Sequence, residues 1–150
     1  MLPVLLLVSD VFAENLIPGS MGIGVSLGSP SGFNGKMKLG DDQALQFAVG
    51  GSTGQIGRVS VSTDFIQHTS SITEPSDGYV ITPYFGLGAS VNAETYGINR
   101  VFAGPRFLTG VSVFPTDIAM DFFIEIAPAV YFYEQFSFGF EGSLGARYYF

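Results

Sequence analysis

The chain has no cysteine and no tryptophan, a single histidine, and only six basic residues among 150. Without cysteine there is no disulfide, no metal–thiolate site and no thiol nucleophile. A formal net charge of −7 with so few Lys and Arg leaves no basic patch, which excludes nucleic acid as a partner. Charged residues make up 13%, about half the ordinary share. That is thin for a small soluble domain, whose surface needs ionic groups. No run of about 18 or more apolar residues occurs, so a membrane-crossing helix is excluded too. Phosphate-loop, nucleophile-elbow and metal-ligand motifs are missing. Gly22-Ile23-Gly24 opens no helix and is not a dinucleotide fingerprint. No cofactor is expected.

What is present is glycine, 20 of 150 and about twice the average, together with 15% aromatic residues. The closing stretch shows how they are used. Phe136, Phe138, Phe140, Gly142, Leu144, Ala146, Tyr148 and Phe150 alternate with Ser137, Gly139, Glu141, Ser143, Gly145, Arg147 and Tyr149. Period two gives a strand with one apolar and one polar, ionic face. A strand in the wall of a membrane barrel has this character, because one face meets lipid and the other the lumen.

The same alternation recurs in seven earlier segments bounded by turn residues: 21–28, 33–39, 44–50, 58–68, 79–91, 99–114 and 118–132. All are joined by connections short enough for antiparallel neighbours. The fold expected is all-β, an eight-stranded antiparallel up-and-down transmembrane β-barrel, since closure removes the unpaired edges that lipid would not tolerate. Ahead of it, Met1 to Val8 is a short apolar run and Ala13 a small residue before Glu14. This reads as a signal peptide over 1–13 and a barrel domain over 14–150, with a buried N-terminal strand as the alternative.

Each register, set by its apolar face, turns Lys36, Lys38, Arg58, Arg100, Arg106 and Arg147 inward, with Asp64, Asp121, Glu125 and Glu141. An eight-stranded barrel is just wide enough for side chains to fill it. These ten residues are therefore expected to form an interior ion-pair network that plugs the lumen, with inward glycines leaving room for the long side chains. A water-filled pore lined by the same charges is the alternative, but aqueous channels belong to barrels of about sixteen strands. His68 and Asp64 share a face, yet i and i+4 on a strand lie about 13 Å apart, so His68 reads as an interfacial polar residue and not as half of a catalytic pair. Pro83, Pro105 and Pro128 fall on the apolar face of three consecutive strands. They mark either bulges or a gap that admits lipid, and bulges are the expectation.

The alternating final strand, the terminal Arg147-Tyr148-Tyr149-Phe150 and the Gly22-Ile23-Gly24 and Gly86-Leu87-Gly88 strands resemble the small outer-membrane β-barrel proteins of Gram-negative bacteria, the OmpA/OmpX-like eight-stranded barrels. The resemblance covers nearly all of the chain after the leader, as a pattern and not as a motif. It implies a place in the cell outer membrane, outer-membrane lipid as surroundings, and insertion by the barrel-assembly machinery. The terminal residues Phe140, Tyr148 and Phe150 would be part of the signal that machinery reads. With the N-terminus in the periplasm, the connections 29–32, 51–57, 92–97 and 133–135 face outside, and all are short, against a family that usually has long external loops. The function expected is non-enzymatic, structural or surface-interacting in the cell envelope. Two alternatives stand beside it: a lipid-modifying enzyme or narrow channel of the same membrane, and a soluble lipocalin-like ligand-binding barrel.

Overall fold

In a β-strand successive side chains point to opposite faces, so a chain that alternates apolar and polar residues builds a sheet with two chemically distinct surfaces. The computed structural model describes residues 19–52, 55–97 and 99–150, and the segment 1–13 lies outside the described residues. Eight strands follow one another: β1 (Met21–Gly28), β2 (Ser31–Lys38), β3 (Gln43–Ser52), β4 (Gln55–His68), β5 (Tyr79–Glu94), β6 (Arg100–Pro115), β7 (Met120–Tyr133) and β8 (Gln135–Tyr149). Each pairs antiparallel with its neighbour, and β1 pairs with β8, so the sheet is a closed up-and-down barrel. One 3-10 turn at Pro75–Asp77, in the longest connection, is the single helical element among the described residues.

Register fixes the shape. Stepping across paired residues from Gly22 leads through Lys36, Gln46, Asp64, Gly88, Arg106 and Ala129 to Gly139. Gly22 itself pairs with Tyr149, ten residues further along β8. Closing the sheet with that stagger tilts the strands by about 40° to the barrel axis. The closure needs glycine where β1 meets β8. A Cβ on Gly24 would lie 1.9 Å from the Ala146 carbonyl oxygen and 2.7 Å from the Arg147 Cα.

The wall is uneven in height. β1 and β2 have 8 residues each, whereas β5 and β6 have 16. At about 3.3 Å per residue and this tilt, the short strands rise roughly 20 Å and the long ones roughly 40 Å. β1 runs out at Gly28, opposite Ser143. The Ser29 N–H still donates to the Gly142 carbonyl at 2.8 Å, but beyond it β8 has no strand on its β1 side, while β7 pairs with it up to Tyr133↔Gln135. The wall therefore has a notch above the β1–β2 turn.

Outward positions are mostly apolar, with neutral polar residues such as Gln43 and Thr63 among them. Phe85, Phe122 and Phe138 all face out, Phe138 with 85% of its surface accessible. Inside, Ile66, Leu108, Tyr84, Ala44 and Ala127 make one apolar cluster, and Phe102, Ala129 and Tyr131 another. The prolines do not mark bulges: Pro83↔Val111, Ala89↔Pro105 and Pro128↔Phe140 sit in unshifted register. Among the described residues the register shift lies instead between Gly51 and Ser52. What accompanies Pro105 and Pro128 is a thinner seam. β6 and β7 pair only intermittently there, at Ala103↔Phe132, Arg106↔Ala129 and Thr109↔Ile126, before pairing continuously from Gly110 to Val113. A proline lacks the N–H that a ladder bond needs, so the seam loses bonds without losing register.

Candidate functional site

The lumen encloses Lys36, Asp64, Arg106, Asp121, Glu125, Glu141 and Arg147. Arg106 on β6 is almost fully buried and reaches two strands at once. Its Nε and Nη2 donate to the two Asp64 carboxylate oxygens on β4, each at 2.7 Å, and its Nη1 donates to Glu141 on β8. Bidentate guanidinium–carboxylate contacts of this kind fix geometry as well as charge. Glu141 also accepts from the Tyr131 hydroxyl and, at 3.4 Å, from Ser90 Oγ. Gly88 makes the space: a Cβ there would lie 2.2 Å from the Asp64 Oδ1.

Below this triad Glu125 accepts only from neutral donors: Tyr84 Oη at 2.8 Å, Gln46 Nε2 at 3.0 and 3.2 Å, and Ser143 Oγ at 3.1 Å. Gln46 then accepts from Arg147 Nη1 at 2.9 Å, carrying the network across to β8. Arg147 pairs with Asp121 on β7, Nε to Oδ1 at 3.3 Å, and its guanidinium stacks 3.9 Å from the Phe123 ring centre. Asp121 takes a second partner in the Tyr149 hydroxyl, 2.9 Å away. Lys36, also buried, has no carboxylate partner among the described residues. Its Nζ donates to His68 Nε2 at 2.9 Å and lies 4.5 Å over the Tyr84 ring. With Nε2 accepting, the imidazole is neutral and its Nδ1–H points to the Asp42 carbonyl at 3.2 Å.

No family model, curated protein or solved structure matches the chain. The fold and the side-chain geometry alone carry its interpretation.

Of the ten residues expected in one network, Arg106, Asp64 and Glu141 come together, as do Arg147 and Asp121, while Glu125 joins through Gln46. Arg58, Arg100 and Lys38 do not join it, and Lys36 bonds to His68 instead of a carboxylate. Arg58 and Arg100 sit at the rim and share Glu94, Arg58 Nη2 to Oε1 at 3.2 Å and Arg100 Nε to Oε2. The Arg100 hydrogen bond holds the Glu94 carboxyl below the usual carboxylate range, helped by the nearby Arg58 charge. Lys38 ends β2 at the opposite rim, 4.8 Å over the Tyr149 ring and 5.9 Å over that of Phe114. All three lie near strand ends, where inward parity no longer means enclosure. Sequence reasoning missed the tyrosines: Tyr84, Tyr131 and Tyr149 each donate to one interior carboxylate. Their alternation parity was the available signal.

His68 and Asp64 are not partners, in keeping with their spacing, and no group of three or more His, Asp or Glu side chains is placed to hold a metal among the described residues. The rim around Arg58 and Arg100 forms a cavity of ≈ 350 Å³, lined further by Phe102, Tyr131, Tyr133 and residues 137–141 of β8. Arg58 lies with its guanidinium carbon 4.7 Å, and Arg100 5.7 Å, from the Phe102 ring centre.

Proposed function

We propose that the chain is a non-enzymatic outer-membrane β-barrel protein of the cell envelope, its lumen plugged by paired charges and its role structural or surface-interacting. The observation that carries this reading is the sorting of side chains. Among the described residues, charged side chains within the strands take inward positions, and outward positions are apolar or neutral. A Lys or Arg on a lipid-facing position at mid-bilayer costs about 2–4 kcal/mol, which a membrane barrel must avoid and a soluble one need not. A lipocalin-type barrel needs the reverse arrangement. The filled, hydrogen-bonded interior favours a plug over a pore. Phe140, Tyr148 and Phe150 are outward and exposed, accessible to barrel-assembly machinery.

Fractionation with detergent, heat-modifiable migration on unboiled gels and planar-bilayer recording together test this. The expected outcome is extraction from envelopes only with detergent, a heat-shifted band and no large steady conductance. Recovery from the aqueous periplasm would end the membrane reading, and a steady large conductance would end the plug.

A further inference from the structure

We propose that the notch above the β1–β2 turn admits an amphiphile with an anionic phosphate head, held by Arg58 and Arg100 in the barrel mouth while its chains lie along Phe138 and Phe140. This rests on the membrane-spanning reading and deepens it by assigning a ligand class.

Three features converge on that spot. First, the β1 wall rises roughly 20 Å, less than the roughly 25 Å apolar band of a membrane barrel, so a bilayer matched to the tall side reaches above the β1–β2 turn. β8 carries its apolar face past this point, with Phe138 and Phe140 outward and 85% and 83% exposed. Its edge there has no neighbouring strand. Unpaired backbone groups facing hydrocarbon are costly, and a polar head in the notch can bond them.

Second, the cavity at the mouth is lined by consecutive residues 137–141 of β8 and by Arg58 and Arg100, so it runs from the arginines to that free edge. Third, the mouth carries unbalanced positive charge. Two guanidiniums share the one Glu94 carboxylate, and Glu141 is taken by Arg106 and Tyr131. Among the described residues the Arg58 Nε has no hydrogen-bond partner. Two guanidiniums with one carboxylate between them suit a phosphate, which guanidiniums bind bidentately.

The test uses the full chain in phosphatidylcholine vesicles containing a minor share of phosphatidylglycerol. Phe138→Trp supplies a reporter in a chain with no other tryptophan, read by quenching with brominated phosphatidylglycerol or brominated phosphatidylcholine. The expected result is an anionic-lipid excess of about five- to tenfold over the bulk composition, the scale of one or two partly screened charge-assisted hydrogen bonds. It should fall to the bulk value in the Arg58→Gln/Arg100→Gln double variant. It should fall likewise in Ser137→Glu, which adds a negative charge to the cavity and leaves both arginines in place. Excess inorganic phosphate should leave it unchanged. Equal quenching by both lipids, or an excess that survives both variants, overturns the proposal. Displacement by inorganic phosphate does so as well, by assigning the site to a free anion. A chain that fails to float with the vesicles sinks the membrane reading beneath it, and flotation tells the two failures apart.

Discussion

Arg106 is the residue on which the interior turns. It is held by carboxylates from β4 and β8, and removing it would leave both Asp64 and Glu141 enclosed without a cation. Arg106→Met is expected to destabilise the folded barrel by about 3–5 kcal/mol, read as a lower urea midpoint in detergent micelles. The triple replacement Arg106→Met, Asp64→Leu, Glu141→Leu should lose less than the single one, because it leaves fewer charges uncompensated. An equal or greater loss in the triple variant would argue that the network contributes more than mutual neutralisation. At Glu125 the partners are neutral, so Glu125→Gln keeps the shape and gives up one strong acceptor. The same measurement should show a loss of about 1–3 kcal/mol. That these side chains point inward was legible from alternation. Which of them touch was not, because contact across a lumen depends on the stagger of the closed sheet, and Arg106 meets Asp64 only because β4 and β6 are offset as they are. Lys38, Arg58 and Arg100 share the inward face but not the network for a related reason: parity says which face a residue takes, not how near the rim it lies.

Among the elements, the β6–β7 seam is the weak line in the wall. Both strands pair continuously with their other neighbours through Pro105 and Pro128, yet only intermittently with each other. Pro105→Ala together with Pro128→Ala restores two N–H groups, and amides along this seam are then expected to exchange more slowly by hydrogen–deuterium exchange mass spectrometry. Unchanged exchange would mean that the seam is thin for some reason other than the missing donors. The strands themselves were readable to within a few residues because alternation and turn chemistry agree, as with Met21–Gly28 and its Ser29-Pro30 turn. The prolines misled because a proline on an outward position was equated with a bulge. The sheet instead keeps its register and forgoes bonds.

For the molecule as a whole, every neighbour in the sheet is also a neighbour in the chain except β1 and β8. Closure is thus one long-range event, made where Gly24 lies against the Ala146 carbonyl. Gly24→Val places a branched side chain in that contact, and the barrel is expected to lose its heat-shifted migration while the soluble, unfolded yield is maintained. A normal shift would show that the seam can open without penalty. That the barrel closes was legible from eight alternating segments. Its uneven height was also foreshadowed by the short segments 21–28 and 33–39 beside 99–114, but where β8 is left without a β1 partner was not, because the register of closure leaves no trace in the alternation.

If the barrel spans a membrane as proposed, its lopsided rim gives it a direction in the bilayer plane. On the proposed reading, the bilayer beside β1 and β2 is thinner than elsewhere by about 5 Å, at a cost of fractions of a kcal/mol per ångström of mismatch. Two such molecules placed with their low sides together would share one thinned patch instead of maintaining two. The protein would then gather in oriented pairs or rows without any direct contact between the chains.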